Sequence, residues 1–403
     1  MKFDDNSLYN IKSSVDGKRY SLFELATWKN GLAFKKINFS ETGVPVIKIA
    51  ELNNGIGGTT AYTQQTFSED VHLCKGDLLF SWSGNPQTSI DVFRFNIDEG
   101  WLNQHIFKVT PDEKTVDRDY FYFLMKNLKP HFTQIAINKQ TTGLGHVTIA
   151  DIKRMSVVIP SLDVQREIVS YIKPIDDKIE LNNEINNNLE QQAQAIFSNE
   201  FLTLKTLPDG WQQARLIDIA DYLNGLAMQK YRPTVDETGI PVLKIKELRQ
   251  GCCDDNSELC SQNIKSEYII HNGDVIFSWS GSLLVDFWCG SICGLNQHLF
   301  KVTSNKYDKW FYYAWTKHHL NRFIAVAADK ATTMGHIKRD ELSKAEVLIP
   351  NEADYKRIGA LLQPIYDLII ATRIENKKLA ETRDTLLPKL MSGGIDISEV
   401  ECE

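Results

Sequence analysis

Polar and apolar residues first fall into short β-branched and aromatic runs closed by Gly, Asn or Pro: VPVIKI, DLLFSWS, HIFKVT and MSVVIP. Runs of this length and composition predict strands. The period then changes. From Ile168 a seam runs through Ile172, Ile175, Ile179, Asn182, Asn186, Leu189, Ala193 and Ile196, in alternating steps of four and three. That rhythm predicts a long helix packed in a coiled coil. The whole succession then repeats. VLKI, DVIFSWS, HLFKVT and EVLIP precede a second seam of Ile358, Leu362, Ile365, Ile369, Thr372, Asn376, Leu379, Arg383, Leu386 and Leu390. Between the third and fourth runs of each copy an aromatic stretch, Tyr120–Ala136 or Trp310–Ala327, has helical spacing. Phe121, Leu124, Met125, Leu128 and Phe132 mark its core face, and Pro130 is expected to kink or end it.

The repetition is literal in places. GVPVIKIAELNNG at Gly43–Gly55 returns as GIPVLKIKELRQG at Gly239–Gly251, and LNQHIFKVT at Leu102–Thr110 returns as LNQHLFKVT at Leu295–Thr303. TTGLGH at Thr141–His146 returns as TTMGH at Thr332–His336. A period near half the chain is far longer than the roughly 20–50 residues of a solenoid unit. It predicts two related α+β units in tandem: a β-rich domain at 1–160, a helix at 161–206, a second β-rich domain at 207–350 and a second helix at 351–403.

Connectivity limits how these pieces assemble. The first helix leaves one β-rich domain and arrives at the other, and the second has only the first domain to return to. Antiparallel packing in one coiled coil, with pseudo-twofold symmetry, is the simplest solution. Both seams turn polar at the same place, Asn182 and Asn186 against Thr372 and Asn376, which fixes register at a cost in stability. Pro174 and Pro364 sit at matched positions and are expected to bend or break the helices. Two similar domains at a fixed separation suit a ligand that is itself twofold, and duplex DNA is such a ligand.

Composition narrows the classes. An apolar fraction of 42 % and a charged fraction of 24 % are ordinary for a soluble globular protein. There is no apolar h-region at MKFDDNSLYN and no run of the roughly 20 apolar residues that span a bilayer, so a cytoplasmic protein without membrane partners is expected. Net charge is −7, distributed as +1 over 1–160, −4 over 161–206, −1 over 207–350 and −3 over 351–403. Any DNA affinity of the chain alone should be modest, because affinity rests on neutralised phosphates. Cys252, Cys253, Cys260, Cys289 and Cys293 lack paired C-x₂-C spacing, so reduced thiols rather than a metal site are expected.

The order of these motifs, their duplication and the two helices together resemble the specificity subunit of type I restriction–modification systems, over about residues 20–395. The carriers are the GDLLFSWSG-type strand and loop, the LNQH-F strand, the TTG-GH loop and a helix entered through SLDVQREIVSYIKPIDDKIE. The resemblance implies that the β-rich domains are target recognition domains, each reading one half of a bipartite, asymmetric DNA target. It implies that the helices set the spacer and dock two methyltransferase subunits. Those partners bind S-adenosylmethionine and methylate adenine N6, and in the systems that also cut DNA ATP-dependent restriction subunits join them; a methylation-only system would have the same specificity chain. No cofactor and no catalysis belong to the specificity chain. The sequence agrees: Asn85–Pro86 continues with Gln87 rather than a methylation motif, and no P-loop occurs. The family has a Gln-type residue where His146 and His336 stand here. A two-site carbohydrate- or peptide-binding protein with a coiled-coil spacer would share the architecture, and a DNA mobility shift separates the two. A hydrolase built on His105 or His298 lacks a nucleophile beside either histidine.

Candidate DNA-contact residues follow from chemistry at the loops. Lys139, Gln140, Thr141, Thr142 and His146 pair with Lys330, Thr332, Thr333 and His336. A cation, hydroxyls and a close-approaching glycine suit phosphate contact, whereas the alternative is a solvated turn. Strand alternation puts Phe80 and Trp82 on the core face and Ser81 and Ser83 on the other. Ser83 and Ser280 at the Ser-Gly tips, with Ser282, are further candidates. The stretches after the tips diverge, so Asn85 and Gln87 are candidates for base reading. Lys35, Lys36, Lys230 and Arg232 are phosphate candidates or plain charged surface. The LNQH segments are expected to form a buried amide–imidazole cluster holding two loops.

Overall fold

The computed structural model describes residues 5–141, 143–329 and 337–395. The FSWSG strands lie inside two sheets of one design. In domain one these strands are β1 (Ala26–Asn30), β2 (Leu78–Ser81), β3 (Asp91–Arg94) and β4 (Ile106–Pro111), ordered β1-β4-β2-β3 and antiparallel throughout. The long helix α1 (Leu162–Phe197) follows. Domain two repeats the order as β5-β8-β6-β7, with β5 (Asp221–Asn224), β6 (Val275–Ser278), β7 (Leu284–Phe287) and β8 (Leu299–Thr303). Helix α2 (Glu352–Ser392) closes the series.

All four residues of β2 and of β6 are buried, because each sheet is covered on both faces. Leu78 and Phe80 point into a core shared with the aromatic helices Arg118–Asn127 and Lys129–Asn138, while Leu79 points into a second core with Ile47, Trp101 and Leu102. Val275, Phe277 and Ile276 divide the same way in domain two. The second core rests on another four-stranded sheet, in which Val44–Ile47 runs parallel to Glu99–Leu102, as Ile240–Leu243 runs parallel to Cys293–Leu295. The aromatic helix ends at Leu128, with Pro130 in the first turn of its successor. Its counterpart also divides, at His319, without a proline.

The boundary between the two compact units falls within both long helices. Domain one is residues 1–176 with 381–403, and domain two is 177–380. In domain one, Ile168 and Ile172 of α1 share a core with Leu387, Leu390 and Met391 of α2. Leu8 and Tyr9, which precede the stretch of the resemblance, are buried there too, and the Ser14 amide donates to the Ser392 carbonyl at 2.9 Å. Asp176 accepts from Arg94 of β3 at 3.3 Å and from Arg383 at 2.8 Å. In domain two, Arg373 of α2 binds Asp286 of β7 at 2.7 Å and Glu190 of α1 at 2.6 Å. Burial opposes ionisation of Glu190, but the Lys317 and Arg373 charges outweigh it and hold its carboxyl below the usual range.

The helices pair antiparallel: Asn182 donates to Asn376 and Glu375 at 2.8 Å, and Thr372 donates to Asn186 at 2.5 Å. Every seam residue read from the sequence is buried or half-buried. The proline expectation needs correction, since both helices run without a break through Pro174 and Pro364. Both prolines are exposed, as are Ser170 and Ala360 four residues earlier, so a carbonyl freed from the ladder turns to water. Asn186 Nδ2 is buried with no hydrogen-bond partner, and the Thr372 hydroxyl also reaches the Leu368 carbonyl at 2.8 Å. Asn186→Leu therefore raises stability, by about 1 kcal/mol, because it removes an unsatisfied group and leaves Thr372 an acceptor. Thermal unfolding measures the gain. Disulfide trapping between introduced cysteines detects the looser register expected with it.

Candidate nucleic-acid interface

Motifs far apart in sequence meet at one end of each central sheet. β1 ends at Asn30 beside Phe107, and β2 ends at Ser81 beside Ile106. Between them arrives Leu102–His105, which enters β4. Gly145 and His146 pair with Gly84 and Ser83, and the Val147 amide donates to the Trp82 carbonyl at 2.9 Å. Trp82 thus stands in a ring of shared motifs, with His105 at 5.4 Å, His146 at 5.9 Å and Phe107 at 5.7 Å between ring centres. Domain two repeats the arrangement: Trp279 lies 6.1 Å from His298 and 5.7 Å from Phe300, and the Ile337 amide donates to its carbonyl.

Two glycines make the close approach possible. A Cβ on Gly31 would lie 2.2 Å from the Asn103 carbonyl oxygen, and one on Gly225 the same distance from that of Asn296. No other residue fits either place without moving backbone. The following amides, of Leu32 and Leu226, donate to the Leu102 and Leu295 carbonyls, both at 2.9 Å.

The structure revises several residue readings. Trp82 and Trp279 pack on the core face as expected but are only half-buried there, since the strands stop one residue earlier. Their indole N–H groups donate to Asn30 and Asn224, each at 3.0 Å. Ser83 and Ser280 are both 6 % exposed, so the side chains of the Ser-Gly tips are turned inward instead of facing a ligand. Ser282 is half-buried, and its carbonyl accepts from the Ser278 hydroxyl at 2.9 Å. The LNQH cluster is buried only in part. Asn296 is 6 % exposed and accepts from the His298 amide, whereas His105 is exposed.

Other candidates lie on the surface. Lys35, Lys36, Lys230 and Arg232 are exposed on the loops that leave Gly31 and Gly225. Asn85 and Gln87 are exposed beyond Gly84, where the Asn85 side chain accepts from the Gln87 amide at 2.9 Å. Gln140 and Thr141 are exposed, and Thr141 exchanges backbone hydrogen bonds with Leu144 at 3.1 Å both ways. Lys139 is less free than its sequence suggests: its ammonium sits on the buried carboxylate of Asp151, at 2.5 and 2.6 Å. Burial works against that carboxylate, yet the Lys139 and Thr148 hydrogen bonds hold it below the ordinary range. Thr142, Lys330, Thr332, Thr333 and His336 lie outside the described residues.

Asn30 and Asn224 escaped the sequence reading. The signal was present as a four-residue identity, NGLA at 30–33 and at 224–227. It is short and lies outside the β-branched and aromatic runs, so by itself it does not mark a site as FSWSG does. Among the described residues no group of three His, Cys, Asp or Glu is placed to hold a metal ion. No described helix is long and apolar enough to cross a membrane.

Comparison with known proteins accounts for the duplication. Residues 15–191 and 208–381 each match the family described as type I restriction modification DNA specificity domain. The chain is 25 % identical over 325 residues to the type I restriction enzyme MjaIX specificity subunit of Methanocaldococcus jannaschii, covering 74 % of this chain and 73 % of that one. It is 21 % identical over 400 residues to the HindI specificity subunit of Haemophilus influenzae, covering 80 % and 87 %. The crystal structure of a type I restriction–modification system S subunit from M. genitalium has the same fold, with a TM-score of 0.54 at 13 % identity over 94 % of this chain and 97 % of that one. Two tandem family matches, one to each half of a chain built twice on one plan, make this protein a member of the type I restriction–modification specificity subunits.

Proposed function

We propose that this chain supplies DNA recognition to a type I restriction–modification enzyme and no catalysis of its own. Each domain takes one half of a bipartite, asymmetric target in double-stranded DNA. The two helices set the unread spacer between the halves. They also dock two adenine-N6 methyltransferase subunits, which carry S-adenosylmethionine. The observation that carries this reading is the Trp–Asn–His cluster, present twice in one geometry and bordered by loops that differ. One frame with two sets of loops suits two half-sites of one ligand and different sequence. The segments 1–160 and 207–350 carry net charges of only +1 and −1, so the partners contribute the basic surface that tight DNA binding requires.

The docking part of the proposal rests on α2. Leu361, Pro364, Leu368 and Ala371 are all exposed, at spacings that place them on one side of the helix away from its filled seam. Leu361 and Leu368 are 46 % and 45 % exposed. Pro174 and Leu181 occupy matched positions on α1, with Leu181 50 % exposed. An apolar stripe of this kind is a surface that a partner covers.

The purified chain alone is expected to transfer no methyl group, cut no DNA and hydrolyse no ATP. With its methyltransferase partner and S-adenosylmethionine it directs adenine methylation to one two-part motif, which sequencing of methylated genomic DNA reads out. Turnover by the pure chain, or methylation without sequence preference in its presence, would sink the reading.

A further inference from the structure

Asn30 and Asn224 pose a question that core packing does not answer. Both are exposed at the ends of equivalent strands, β1 and β5. Both accept the indole N–H of an equivalent tryptophan at 3.0 Å. Each tryptophan in turn leans on an equivalent phenylalanine, with ring centres 5.7 Å apart and planes inclined by 27° and 31°. An indole N–H only donates, so each amide must turn its oxygen to the tryptophan. Its NH₂ group is therefore aimed away from the indole, and among the described residues it has no acceptor. A brace for the tryptophan would work with any acceptor. The chain instead uses, twice, the residue that also presents a donor in a fixed direction.

The neighbours of these residues are not alike. Lys29 stands where Leu223 stands in domain two, Lys35 where Gln229 stands, and Asn85 where Ser282 stands. Positions around the cluster that are exposed in domain one have drifted, and the amide with its indole has not. A group identical in two domains that read different bases can serve only what both half-sites share. The shared acceptor is the sugar–phosphate backbone, whose contacts set register and orientation without carrying sequence.

We propose that Asn30 and Asn224 are the phosphate anchors of their domains, each donating an amide N–H to a backbone oxygen while Trp82 or Trp279 holds the amide in place. The anchor seats the domain, and the divergent loops then meet the bases at a constant register. This proposal rests on the DNA-reading function above, and the test is chosen to separate the two.

Asn30→Asp keeps the oxygen that receives the indole N–H, removes the donor and places a negative charge against the phosphate. In the complex with the methyltransferase partner, Asn30→Asp lowers affinity on the order of tenfold or more, on target and unrelated duplexes alike. The methylated motif and the melting temperature stay as in the wild type. Asn224→Asp behaves the same way, and the double variant loses the product of the two factors. Duplexes with one neutral methylphosphonate at a time locate the contact. One position in each half-site weakens wild-type binding, and in Asn30→Asp the position of its own half-site no longer weakens it. Unchanged affinity, or an altered motif, overturns the anchor while leaving the DNA reading standing. A loss of affinity with the methylphosphonate effect intact makes Asn30 a brace only, and also overturns it. A wild-type complex that bound no duplex would remove the DNA reading itself, and the anchor with it.

Discussion

Replacing residues 1–160 with the equivalent domain of a relative changes one half of the methylated motif and leaves the other half and the spacer as they were. The effect is all-or-none at the exchanged positions, because a lost bidentate base contact costs about 1–3 kcal/mol and a half-site contains several. The reason lies in the separate construction of the two domains, each with its own sheets, cores and motif cluster. The exchange has one structural condition. Leu387, Leu390 and Met391 of α2 pack in the core of domain one, so the donor domain must accept those side chains or bring its own. Sequencing of methylated DNA from cells carrying the chimera gives the result. Change in both halves, or in neither, defeats the assignment of one domain to one half-site.

Two adjacent residues of α2 are expected to respond in opposite ways. Ile369 is 1 % exposed among Leu362, Tyr366 and the domain-two core, whereas Leu368 is 45 % exposed beside it. Ile369→Asp buries an unpaired carboxylate and costs about 4 kcal/mol or more, which unfolds domain two well below the wild-type melting temperature. Leu368→Asp changes stability by no more than about 0.5 kcal/mol, as exposed substitutions do. Its effect appears instead in titration of the methyltransferase subunit, whose association weakens severalfold. Wild-type melting of Ile369→Asp would contradict the seam, and wild-type association of Leu368→Asp would contradict the docking stripe.

The long elements were legible because their periods are long. Ten seam positions from Ile358 to Leu390 average out local noise, and the strands DLLFS and DVIFS carry β-branched and aromatic residues between glycines. What the sequence hid was decided within one or two residues. Alternation puts Trp82 on the face of Phe80, where it does pack, but nothing local shows that pairing stops at Ser81 and leaves the ring half-exposed. Ser83 looked exposed by its type, yet its strand pairs with His146, a partner 63 positions away. Lys139 looked like a free cation until folding brought Asp151 under it. Pro174 and Pro364 looked like breaks, and their exposure makes them harmless to the helix. The division into domains was hidden for a related reason, since it runs through the middle of two continuous helices.

The contact between Ser14 and Ser392 has a consequence for synthesis on the ribosome. Domain two is a single stretch, 177–380, and can close as soon as it emerges. Domain one is begun first but is not complete until Leu387, Leu390 and Met391 arrive, after all 204 residues of domain two. Through that interval the part of the domain-one core that those residues complete stays open to water and to other nascent chains. The part made first is finished last, and a chain terminated before residue 387 keeps a sound domain two beside a sticky, unclosed domain one.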